Sequence, residues 1–268
     1  MTTILIMEGN TPDVIASGVS GAASFVSTFL TVAPAVQLRV VAPYAGRFDE
    51  AVFDGVDGVV FTGSGTRWNT HATQVDAQME AMVRSFGAGL PVWGSCNGMQ
   101  LAAVVLGGVV DANPSGLEVG FARDVTKTDE GQSHPMMMGR EDVFSVPTVH
   151  RDDVQRVPDG AKVLAANAHS AIQAMVYERN GIDFWGTQYH PELSARDIAT
   201  FIRAPGIFGE KIDLASDLEV AEVDPLAAQR LGLSELDLSV EHRARELLNW
   251  LSHIEGRELE RLDQSQPA

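Results

Sequence analysis

Pro91-Val92-Trp93-Gly94-Ser95-Cys96-Asn97-Gly98-Met99-Gln100 is the stretch that decides how this chain is read. An apolar run ends in Gly-x-Cys-x-Gly, and residues 101–106 continue as a helix-like Leu-Ala-Ala-Val-Val-Leu. Strand, sharp turn and helix in that order make a nucleophile elbow, whose strained turn lifts a reactive side chain clear of a sheet. Glycines two positions either side of the cysteine keep the turn uncrowded. Cys96 is the only cysteine in 268 residues. A lone cysteine is usually a small buried hydrophobe. In this setting it is a candidate nucleophile.

A cysteine nucleophile needs a base and a group that orients the base. Of the seven histidines, His190 stands in the most telling context: Trp185-Gly186-Thr187-Gln188-Tyr189-His190-Pro191-Glu192. An apolar strand runs into the histidine, and a carboxylate follows two residues later. In extended backbone, residues i and i+2 share a face, so Glu192 can reach the His190 ring. It would fix the tautomer and stabilise the imidazolium. Pro191 restricts the backbone between them. The thiolate is the attacking species, and a neighbouring imidazolium with a helix N-terminus favours it.

Gly-Ser-Cys-Asn-Gly-Met-Gln followed by Gln-Tyr-His-Pro-Glu resembles the class I (triad) glutamine amidotransferases, in particular the glutaminase domain of GMP synthetase and its free-standing relatives. The resemblance covers residues 1–195. It implies Cys96, His190 and Glu192 as catalytic triad. It also implies an oxyanion hole from the backbone amides of Ser64, in the strand and glycine loop 56–65, and Asn97. For substrate contacts it implies Gly63, Gly65 and Gln100, with Val149 and His150 from the Thr148-Val149-His150-Arg151-Asp152 segment. Glu118-Val119-Gly120 matches a short Glu-x-Gly strand of GMP-synthetase-like members. The implied reaction is hydrolysis of the γ-glutamyl amide of glutamine, or of a substituted γ-glutamyl amide, through a γ-glutamyl thioester.

Two departures bear on specificity. The family's Ser-Gly-Gly-Pro loop is replaced by Gly63-Ser64-Gly65-Thr66-Arg67-Trp68-Asn69. Trp68 either stacks on a substituent carried by the amide nitrogen or covers the loop. After the triad, a short helix over 195–202 is followed by an acidic stretch, 204–238, that includes Glu210, Asp213, Asp217 and Glu219 against Lys211 and Arg230. This stretch reads as a solvated excursion, or as a lid or oligomer contact. Val240, Leu247, Leu248 and Leu251 then fall at helical spacing, as in an amphipathic closing helix. Residues 262–268 read as a frayed end. The expected organisation is a catalytic domain over 1–203, with 204–268 packed on that same domain.

Coarse patterning gives strands over 3–7, 37–42, 58–62 and 91–94, helices over 13–30 and 74–86, and a strand-rich region over 118–187. The fold class expected is therefore α/β, a mostly parallel twisted sheet with helices on both faces and extra antiparallel strands. A hydrophobic fraction of 45% supports a full core. A net charge of −17 argues against nucleic acid or an anionic membrane as partner. A small-molecule substrate is expected, with no cofactor and no metal. No nucleotide-binding loop of the Gly-x-x-x-x-Gly-Lys type is present. The chain is thus expected to act alone as a hydrolase or to serve a synthetase partner in trans; a homo-oligomer is the further partner considered. One cysteine and no leader-like segment make a cytoplasmic location the expectation.

Overall fold

The structure, a computed structural model, describes residues 1–46, 48–203 and 212–264. Glu210 and Lys211 of the acidic stretch, and residues 265–268, lie outside the described residues. The strands are β1 (Thr3–Met7), β2 (Gln37–Val41), β3 (Gly58–Phe61), β4 (Pro91–Ser95), β5 (Val109–Ala112), β6 (Glu118–Lys127), β7 (Val143–His150), β8 (Asp152–Arg156), β9 (Lys162–Ala166), β10 (Ala174–Arg179) and β11 (Ile182–Thr187). The helices begin with α1 (Pro12–Ala16), α2 (Gly21–Val32), α3 (Asp76–Gly87), α4 (Asn97–Val105) and α5 (Asp129–Ser133). After the last strand come α6 (Ala195–Arg203), α7 (Ile212–Val220), α8 (Pro225–Arg230), α9 (Glu235–Leu238), α10 (Val240–Arg243) and α11 (Arg245–Gln264).

One large sheet runs β2-β1-β3-β4-β11-β10-β9-β6-β7, and β5 pairs with β8 in a separate ribbon. From β2 to β11 every pairing is parallel; from β11 to β7 every pairing is antiparallel. This is the mixed α/β sheet expected from the pattern. Side chains alternate across it with the period of two that extended backbone imposes. Ile4 and Ile6 join Phe25 and Phe29 of α2 and Leu247, Trp250 and Leu251 of α11 on one face. Leu5 and Met7 join Ala81 and Met82 of α3 and Met99 and Leu101 of α4 on the other. Helices therefore cover both faces, and the central strands are buried throughout.

The single helix expected over 13–30 is two. The chain breaks after Ala16, passes Gly18 at φ +93°, and restarts where the Ser20 hydroxyl accepts from the Ala23 amide at 3.1 Å. The buried Glu8 carboxylate reinforces the restart by accepting from Gly21 and Ala22 amides at 3.2 and 3.0 Å, a helix-cap role that apolar periodicity does not reveal. The closing helix is likewise divided at Ala244, and it continues through Gln264 instead of fraying from residue 262. The acidic stretch contains α7, whose Ala215 and Leu218, with Ala221 just after it, pack on Ile198, Ala199 and Ile202 of α6. Among the described residues no helix is long and apolar enough to cross a membrane.

Candidate active site

β4 ends at Ser95, α4 begins at Asn97, and Cys96 joins them at φ 49° and ψ −105°. A side chain in that region carries strain of about 1–3 kcal/mol, so the neighbours must hold it. The Cys96 amide donates to Thr187 O at 2.7 Å, and Cys96 O accepts from the Gln100 amide at 3.0 Å. The flanking glycines are required by close approach. A methyl on Gly94 would lie 2.6 Å from the Gly98 carbonyl carbon, and one on Gly98 would lie 2.4 Å from Phe61 O. The elbow thus seats directly on β3. Cys96 is buried, with Sγ 3.8 Å from Val149 O.

His190 follows β11, the strand that pairs in parallel with β4 in the register Thr187↔Ser95. Adjacent strand ends therefore deliver the cysteine and the histidine to one edge of the sheet, the carboxyl edge where α/β sheets place their sites. His190 Nδ1 lies 2.7 Å from Glu192 Oε1. The other carboxylate oxygen accepts from Ser95 Oγ at 2.9 Å, and Ser95 Oγ accepts from Trp93 Nε1 at 3.0 Å. All four side chains are buried. The His190 Nε2 atom makes no conventional hydrogen bond and is left to the cysteine. Burial alone would lower the His190 pKa, but the Glu192 carboxylate and Cys96 overcome it and raise the value to about 10. The ring therefore holds its proton far above neutral pH.

The loop after β3 closes the site. A methyl on Gly63 would stand 2.7 Å from His190 Cε1 and 3.7 Å from Cys96 Cβ, so only glycine lets the loop lie against both. Gly65 donates its amide to Asn10 Oδ1 at 2.6 Å, and the Ser64 hydroxyl donates to Gly9 O at 2.8 Å. Among the described residues, no acceptor within the chain takes the amides of Gly63, Ser64 or Asn97, which remain available as donors. Such free, fixed amides are what an oxyanion hole needs.

A cavity of about 620 Å³ opens over Cys96 and His190. Its walls include Gly63, Ser64, Gly65, Trp68, Val149 and Glu192 among the residues expected from sequence. Trp68 Nε1 donates to Tyr44 Oη at 3.4 Å, and the two rings meet edge to face with centroids 6.1 Å apart. The indole is tethered and still lines the cavity.

Gln100 and His150 are not brought to this wall. The Gln100 amide donates to Asp152 O at 2.7 Å and Gln188 Oε1 at 3.2 Å. His150 Nε2 lies 2.8 Å from Glu118 Oε2, inside a buried cluster with Gln173. Both side chains are committed to buried partners. Among the other histidines, His242 is buried against Glu141 at 3.0 Å.

The segment between β1 and α2, which includes α1, was not foreseen as part of the site: Asn10, Thr11, Asp13, Val14 and Val19 line the cavity, and Arg67 of the 63–69 loop brings a charge opposite to that of Asp13. The available signal was that Gly9-Asn10 leaves the carboxyl end of a central parallel strand, where sites collect. Leu193 and Phe201 were missed as lining for want of any motif.

The model of the class I glutamine amidotransferase family matches residues 34–203. The γ-glutamyl-L-1-hydroxyisopropylamide hydrolase of a Pseudomonas species is 35% identical over 218 residues, covering 74% of this chain and 72% of that one. The glutamine-hydrolysing GMP synthase of Symbiobacterium thermophilum is 32% identical over 148 residues. That match covers 55% of this chain but only 26% of the synthase, so the chain spans about a quarter of that relative. Among solved structures, a glutamine amidotransferase from Thermotoga maritima superposes with a TM-score of 0.65 at 19% identity, covering 94% of this chain and 97% of that one. At that identity the likeness concerns the fold.

Proposed function

We propose that this protein, which belongs to the class I glutamine amidotransferase family, hydrolyses the amide bond of a γ-glutamyl amide by a Cys96–His190–Glu192 triad. Amidohydrolase chemistry follows from the family; the triad and the substrate preference are our reading. The observation that carries it is the buried 2.7 Å contact between His190 and Glu192 beside a cysteine held at positive φ over a cavity. Cys96 Sγ attacks the γ-carbonyl carbon as the thiolate, forming a C–S bond while the carbonyl π pair moves onto oxygen. Backbone amides of the 63–64 loop and of Asn97 hold that oxyanion. On collapse the C–N bond breaks, and His190 Nε2 gives its proton to the departing nitrogen. Water then attacks the thioester with His190 as base. Glutamate leaves, and the thiolate is restored.

A cavity of about 620 Å³ lies in the range of sites for drug-sized ligands. Its apolar lining includes Val14, Val19, Trp68, Leu193 and Phe201. Such a wall suits an organic substituent on the leaving nitrogen more than ammonia. A second reading, glutaminase action that hands ammonia to a separate synthetase, is favoured by the GMP synthase relatives.

The test is glutamate release from L-glutamine and from a panel of γ-glutamyl alkyl- and arylamides, with Cys96→Ala as control. The expected result is turnover of substituted amides that exceeds turnover of glutamine and vanishes in the variant. Glutamine turnover alone would transfer the assignment to the second reading. Retained activity in Cys96→Ala would end the nucleophile assignment.

A further inference from the structure

The family model ends at residue 203, yet the segment beyond it reaches the backbone that follows β11. Arg243, the last residue of α10, is 9% exposed. Its Nη1 donates to Pro191 O at 3.2 Å and lies 3.3 Å from Thr28 Oγ1. The Thr28 hydroxyl in turn donates to Glu192 O at 2.9 Å. Pro191 O and Glu192 O are the carbonyls of the two peptide bonds that flank the Glu192 Cα. Arg243 and Thr28 therefore grip the backbone on both sides of the residue whose carboxylate meets His190.

No carboxylate forms an ion pair with Arg243 among the described residues, although Asp197, Glu222, Glu192 and Glu241 act on it through space. Burying a guanidinium without a contacting counter-ion is costly. It is tolerated where the fork of donors fixes something a neutral side chain would not. On the other flank of His190, Tyr189 Oη donates to Glu246 Oε1 at 2.9 Å, and Glu246 takes two bonds from Arg140 at 2.8 and 2.6 Å. The residues before and after the histidine are thus both anchored to 240–246, outside the family match.

We propose that Arg243 is a positioning residue for Glu192: together with Thr28 it clamps the 191–193 backbone so that the carboxylate stays aligned on His190 Nδ1. The inference rests on the reading of Glu192 as the partner that orients His190. A displaced carboxylate would leave His190 less able to keep its proton, and a misalignment of an ångström is enough to be felt in kcat.

The experiment compares Arg243→Met, Arg243→Lys and Thr28→Val with the wild type. Three quantities are read: kcat and KM on the best γ-glutamyl amide, the pH dependence of Cys96 inactivation by iodoacetamide, and the melting temperature. Arg243→Met is expected to lower kcat roughly 30- to 100-fold with KM within about threefold, and to slow alkylation at neutral pH, as loss of alignment predicts. Lysine keeps the charge and a donor, and should recover most of that loss. Thr28→Val should give a smaller loss of the same kind. A folded Arg243→Met protein with wild-type kcat and alkylation profile, changed only in melting temperature, would overturn the proposal. If that variant does not fold, Thr28→Val decides: an unchanged kcat and profile overturn it equally. A wild type that releases no glutamate from any substrate sinks the functional reading instead, and the alkylation comparison still judges Arg243.

Discussion

Replacing Glu192 by glutamine removes the charge that holds the His190 proton while barely changing volume. Two donors converge on the carboxylate, His190 Nδ1 at 2.7 Å and Ser95 Oγ at 2.9 Å, one on each oxygen. Glutamine offers only one acceptor oxygen. If it faces His190, the amide nitrogen meets a serine oxygen that already accepts from Trp93; if it faces Ser95, the amide nitrogen drives His190 into the wrong tautomer. With charge centres ~4 Å apart and an effective dielectric of ~20, the ion pair contributes about 4 kcal/mol, of which a neutral amide dipole keeps roughly half. The mismatched hydrogen bond adds about 1–2 kcal/mol. A total near 3–4 kcal/mol corresponds to a few hundredfold in kcat. The His190 pKa, about 10 in the native site, should fall by roughly two pH units, because 1.36 kcal/mol corresponds to one.

The assay is the pH profile of kcat/KM from about pH 5 to 10.5, beside the rate of iodoacetamide inactivation. Because Cys96 is the only cysteine, a single mass adduct reports the site unambiguously. The basic limb should move from near pH 10 to near pH 8. A raised folded-state pKa also stabilises the protein fully below the unfolded value near 6.5, and that stability is lost as pH rises through about 10. The variant's melting temperature should therefore vary less over that window. A loss below tenfold with an unmoved limb would refute the role given to Glu192.

Gly63→Ala places a methyl 2.7 Å from His190 Cε1; it should lower kcat by roughly 100-fold while the fold, read by circular dichroism, persists. Trp68→Ala should cost roughly tenfold or more in kcat/KM on bulky γ-glutamyl arylamides and under threefold on glutamine, and equal losses on both would make the indole a cover for the loop. Arg140→Met leaves the buried Glu246 carboxylate without its ion partner and should cost about 3–5 kcal/mol in denaturant unfolding. The double variant Arg140→Met/Glu246→Met should be the more stable of the two, and if it is not, the cost lies in packing and not in the orphaned charge.

The strands and the elbow were legible because their signals are local. Apolar runs of four or five residues bounded by turns fix β1, β3 and β4, and Gly94 and Gly98 announce a turn that no side chain could enter. His-Pro-Glu was legible for the same reason, since the i, i+2 geometry is contained within three residues. The break at Ser17–Ser20 was not, because the carboxylate that caps the new helix, Glu8, stands nine positions before the nearest break residue, just past the end of β1. Gln100 and His150 were placed on the substrate by resemblance, but partners as distant as Gln188 and Glu118 hold their side chains. Such commitments depend on which strands become neighbours, and spacing along the chain carries no trace of that.

What brings Cys96 and His190 together is the insertion of β11 beside β4, and one backbone bond records it: the Cys96 amide to Thr187 O at 2.7 Å. That bond ties the strained residue to the strand that presents His190, so strain at the elbow and placement of the imidazole are a single structural event. The restraints then continue outward in both directions from His190. Tyr189 reaches the buried Arg140–Glu246 pair, while Pro191 and Glu192 reach Arg243 and Thr28. Buried charges of this kind contribute little net stability compared with apolar side chains of the same shape. Their directional bonds, however, fix a backbone that apolar contacts alone would leave free to slide by fractions of an ångström. For the reaction we propose, in which one imidazole must meet sulfur, leaving nitrogen and water in turn, that precision is worth more than the stability forgone.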